Sequence, residues 1–107
     1  MAFYLYQVTY NAAASKAMID HPHSREDAAR KAAESLGGKL HAFYFAFGAF
    51  DAVLICEFPD NVAAAACSMA VGSRGTLSRF ETTVLMSTAE SIEAMKKAKT
   101  ISYAAPQ

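Results

Sequence analysis

The chain has 107 residues with ten basic and ten acidic side chains, a formal net charge of zero, so one domain is expected and no basic field exists to attract nucleic acid. Its hydrophobic content, 53%, is high for so short a chain, yet no apolar run approaches the ~18 residues of a membrane span. The opening residues MAFYLYQVTY lack a basic region and a small-residue cleavage site, so they do not read as a signal peptide.

Residues 3–10 read as a strand, rich in aromatics with Val and Thr. Residues 11–14 read as a connection. Residues 15–36 are helical in composition but broken at His21-Pro22, since proline lacks a donor and disfavours helix before it. A short helical piece is therefore expected first, then a main helix from about Pro22 or Ser24 to Leu36, with Ser24 and Asp27 as a capping box. Ala28, Ala29, Ala32, Ala33 and Leu36 form its apolar stripe, and Gly37-Gly38 closes it in a left-handed conformation.

Two strands follow over residues 39–47 and 50–58, with Gly48-Ala49 read as a type II′ hairpin turn and Gly48 at positive φ. Asp60 or Asn61 caps a second helix, small and apolar over residues 63–71, that ends near Gly72 and Gly75. Residues 76–86 read as a fourth strand. Ser87 and Glu90 form a capping box for a third helix that runs to about Lys97. Cys56 and Cys67 fall in a predicted strand and a predicted helix without zinc-like spacing, which reads as buried, reduced thiols in a cytoplasmic protein.

The order β-α-β-β-α-β-α begins with the split βαβ pattern of ferredoxin-like domains. A two-residue turn places Phe43, Phe45, Phe47, Phe50, Ala52, Leu54 and Cys56 on one face, the core side under the Ala-rich helices, where His41 also falls. Leu40, Ala42, Tyr44, Ala46, Asp51, Val53, Ile55 and Glu57 fall on the other. The first strand divides alike, with Phe3 and Leu5 on one side and Tyr4, Tyr6, Val8 and Tyr10 on the other. The second face is too apolar to meet water, and no helix of this topology reaches it. A second copy of the chain is the available cover, closing a joint barrel. Covering ~500 Å² of apolar surface per chain is worth on the order of 12 kcal/mol before association costs.

Gly37-Gly38-Lys39, Phe43-Tyr44, Gly48-Ala49-Phe50-Asp51 and Glu57-Phe58-Pro59-Asp60 together resemble the GYD-domain family, as do Asp20-His21-Pro22 with Ala28-Ala29 and the Ala-rich segment before Gly72. The likeness covers about residues 3–95. Phe50 stands where the family motif has Tyr, so a role of that phenol hydroxyl is absent here. The resemblance implies an α+β, ferredoxin-like βαββαβ fold with an extra C-terminal helix, a four-stranded antiparallel sheet and dimeric α+β barrel relatives. The domain spans residues 1–97, and 98–107 form a C-terminal tail. The resemblance implies no reaction; fold relatives include cofactor-independent monooxygenases and lactone isomerases, by analogy alone.

Asp51 reads either as a turn residue that accepts hydrogen bonds fixing the hairpin or as a buried catalytic base beside Tyr44. Tyr4, Tyr6, Tyr10 and Tyr44 read as the lining of an aromatic pocket or as interface packing. His21, His23 and His41 have no metal-ligand spacing, so neither a metal nor another cofactor is expected. The GSRG stretch, residues 72–75, follows a helix where a phosphate loop would precede one, so Arg74 and Arg79 read as solvated.

The functional expectation is a cytoplasmic homo-oligomeric barrel that binds a small, largely apolar molecule between its sheets at Tyr4, Tyr6, Tyr44 and Asp51, with no nucleic-acid or membrane partner. The alternatives are a cofactor-independent oxygenase or isomerase using Asp51 or a histidine as base, and a non-catalytic assembly module.

Overall fold

The computed structural model describes all residues, 1–107. In chain order it contains β1 (Ala2–Tyr10), α1 (Ala12–Asp20), α2 (Glu26–Ser35), β2 (Lys39–Phe45), β3 (Ala52–Phe58), α3 (Asn61–Gly72), β4 (Leu77–Leu85) and α4 (Thr88–Lys99). The strands form one antiparallel sheet in the order β2-β3-β1-β4. Helices α2 and α3 lie on one side of it.

Local chemistry explains most boundaries. Asn11 caps α1 by accepting from the Ala14 N–H at 2.9 Å, so the helix begins within the segment expected to be a connection. The break at His21-Pro22 separates α1 from α2 as expected. The Ser24-Asp27 capping box does not form: the Ser24 hydroxyl accepts from Glu26 N–H instead, and Asp27 pairs with Arg30. Asp60 caps α3 through the Ala63 N–H at 2.9 Å. Ser87 and Glu90 make the full capping box of α4.

Gly37 ends α2 at φ 75°. Gly38 has a different reason to be glycine: a Cβ there would collide with the Glu57 carbonyl oxygen and the Phe58 ring.

Four expectations about the central hairpin are corrected. The connection spans residues 46–51, not two residues, and closes with Ala46 N–H donating to the Asp51 carbonyl at 2.6 Å. Gly48 therefore is not in the positive-φ region. Phe47 and Phe50 leave the core face for this loop; Phe47 is fully exposed, and Phe50 takes the Arg79 guanidinium over its ring at 4.6 Å. Finally, a bulge between Leu40 and Ala42 shifts the register by one residue. Leu40 thereby turns into the core, and His41 turns to the opposite face, 2.8 Å from Glu57.

The core lies between the sheet and α2 and α3. Tyr4, Tyr6, Cys56, Phe58, Ala33 and Cys67 are its buried centre. The opposite face carries Leu5, Ala42, Val53, Ile55 and Leu85, bordered by Glu57 and His41 at one end and the Arg79–Glu81 ion pair at the β4 edge. No helix of the chain covers it. Helix α4 buries no residue. The radius of gyration is 17.1 Å, against about 13 Å for a compact chain of this length.

Candidate functional site

Tyr4 and Tyr6 alternate onto the helix-covered face of β1, so they do not line a space between two sheets. Each hydroxyl has a partner on α3: Tyr4 donates to the Asn61 side-chain oxygen at 2.6 Å, and Tyr6 to the Ala64 carbonyl at 2.8 Å. They act as clamps between sheet and helix. Burial pushes the Tyr6 phenol up, well above its ordinary range.

Tyr44 sits on β2 at the sheet edge, on the opposite face, and is exposed. Asp51 lies at the end of the 46–51 loop. Its carboxylate accepts from the Tyr10 N–H at 3.0 Å, while its own N–H donates to the Val8 carbonyl at 2.8 Å. The Asp51 carboxylate therefore ties the loop to β1 where that strand bulges between Thr9 and Tyr10, and makes no bond to Tyr44. The four residues expected to share one site are distributed over the core, the loop and an exposed edge.

The histidines also stand apart. His23 Nδ1 is 2.7 Å from the His21 carbonyl oxygen, and His41 meets Glu57 and packs against Phe3 in a tilted arrangement, ring centroids 5.0 Å apart. No three His, Cys, Asp or Glu side chains gather into a metal-binding arrangement.

An apolar, partly open space lies under the helices. A cavity of about 130 Å³ opens between α2, α3 and the sheet, and 13 of its 15 lining residues are hydrophobic, so it suits an apolar guest. Ala29 and Ala32 of α2 form its roof; Leu54, Phe43 and Phe80 form its floor and sides. The small side chains of the α2 stripe leave this room, where larger ones would fill it. Cys56 and Cys67 lie at its base, both free and buried. Burial pushes the Cys56 thiol up to about 11, and Cys67 upward too, so neither is a ready nucleophile at neutral pH.

At the mouth stand Tyr10, Thr76 and Arg25. The same three residues border a second cavity of about 190 Å³ against α1, which His23 also lines. Arg25 was not singled out by its sequence position. The available signal was electrostatic: it occupies the N-terminal flank of α2, where the helix dipole disfavours a cation.

A four-stranded antiparallel sheet in this order, with two helices on one face, is the ferredoxin-like arrangement. The GYD domain family model matches residues 4–95, so the chain belongs to the GYD-domain family. Its fold is similar to the crystal structure of protein Atu4242 from Agrobacterium tumefaciens, with a TM-score of 0.51 and 16% identity over 80% of this chain and 92% of that one. No curated protein matches the sequence. No helix is long and apolar enough to cross a membrane.

Proposed function

We propose that this GYD-domain protein binds a small, largely apolar molecule in the cavity beneath α2 and that it does so as a homo-oligomer. The cavity carries the first half of the reading. An apolar space of roughly 150 Å³ holds a benzene ring, and about 130 Å³ lined almost wholly by hydrophobic side chains falls in that range. The site differs in place from the sequence expectation, which put the ligand between two sheets. It involves Tyr6 but neither Tyr4, Tyr44 nor Asp51.

The open sheet face supports the second half. Its apolar centre and charged margin match the anatomy of a protein interface. A second copy, sheet against sheet, is the simplest closed cover. The free thiols of Cys56 and Cys67 support a reducing, cytoplasmic setting.

The binding reading is tested by NMR titration with toluene. Resonances of Ala29, Ala32, Leu54 and Val71, which line the cavity, are expected to shift, and Ala32→Phe, verified as folded by circular dichroism, is expected to abolish the response. Shifts confined to Val53 and Ile55 on the open face would contradict the assignment.

A further inference from the structure

We propose that the ligand of this cavity is an aromatic monocarboxylate, its ring under α2 and its carboxylate held at the mouth by Arg25 and the Tyr10 hydroxyl. The inference rests on the binding site proposed above and adds the chemistry of the guest.

Arg25 is the cation at the junction of the two cavities. The chain's ion pairs join Lys16, Arg30, His41, Arg79 and Lys96 to carboxylates, and Arg25 is in none of them. The acidic residues next to it in sequence are engaged elsewhere: Arg30 holds both Glu26, at 2.8 Å, and Asp27, at 3.3 Å. Arg25 is exposed at the N-terminal end of α2 and free of an acidic partner, so its guanidinium is available to an anion entering from solvent.

Tyr10 supplies the second group. It lines both cavities, and its ring stacks on Phe45 at 6.2 Å, which holds it in position. Burial pushes its phenol up while Arg25, which lines the same two cavities, acts in the opposite direction. The phenol is thus a donor at neutral pH, adjacent to a fixed positive charge. A carboxylate accepts from both, whereas an amide or alcohol meets the guanidinium with no charge to offer.

Size sets the remainder. The first cavity accommodates one aromatic ring. A short linker then carries the carboxylate toward Arg25 at the mouth, and the second cavity leaves space beyond it.

The test is calorimetric titration of the full chain with 3-phenylpropionate and, separately, with the isosteric 3-phenylpropanamide. The acid is expected to bind about ten-fold tighter or more, the advantage of a charge-assisted hydrogen bond. Arg25→Gln is expected to remove that preference by weakening acid binding far more than amide binding, and to leave the melting temperature near wild type. Equal affinity of wild type for acid and amide overturns the carboxylate assignment while leaving the apolar site standing. Binding of neither overturns the site itself. An acid preference that survives in Arg25→Gln also overturns the proposal, because another group would then hold the charge.

Discussion

At the scale of single residues, glycine is required at one position of this chain and not at another. Gly38 is pressed against the Glu57 carbonyl and the Phe58 ring, so no side chain fits. Gly38→Ala is expected to cost about 2 kcal/mol in denaturant unfolding, the cost of overpacking a fixed contact. Gly48 has nothing within 4 Å of its would-be Cβ and no positive φ. Gly48→Val is accordingly expected to change stability by less than about 0.5 kcal/mol, against the sequence expectation of a strained turn. Cys56 carries a pH signature. Its thiol is pushed from about 9 to about 11 by burial. Between those values the unfolded chain has lost the proton and the folded chain keeps it. Stability therefore falls as pH rises through this window, by on the order of 2 kcal/mol for this thiol. Melting curves from pH 8 to 11 measure it, and Cys56→Ala is expected to flatten the slope.

At the scale of elements, Asp51 decides how the 46–51 loop attaches to β1. Its carboxylate accepts from the Tyr10 N–H, just beyond the last β1–β3 pair, Val8 with Ala52. Asp51→Ala is expected to destabilise by about 1 to 2 kcal/mol, and Asp51→Asn, which keeps an acceptor oxygen, to restore most of the loss. A full loss in Asp51→Asn would show that the negative charge matters, as it would for a base. The element order and the caps at Asp60 and Ser87 were legible because each is written in a few adjacent residues. The hairpin was not. Phe47 and Phe50 have the composition of strand residues, and only the loop geometry removes them from the sheet. The bulge at 40–42 is equally invisible in sequence, since it is settled by register against β3, and one residue of slip exchanges the faces of Leu40 and His41. The candidate cavity depends on how far α2 and α3 stand apart. The alanine stripe hints at close helix packing, but no local pattern says that space remains beneath it.

At the scale of the whole molecule, the chain does not close on itself. Only 10 of its 107 residues are buried, and α4 extends from the body with Ile92 and Met95 exposed. A 12-residue helix without tertiary packing is marginal in water, so α4 also calls for a surface that its own chain does not offer. Light scattering at micromolar concentration is expected to give a multiple of 11.5 kDa for the native protein. Val53→Lys, at the centre of the open face, is expected to dissociate or unfold it; a folded native monomer would refute the assembly reading. The binding claim is tested most directly by a crystal of the native protein pressurised with xenon, an atom that enters dry apolar cavities of this size. The expected result is an anomalous peak between Ala29, Ala32, Leu54 and Phe80, under α2. Xenon found only between facing sheets, with that space filled by side chains, would contradict the account.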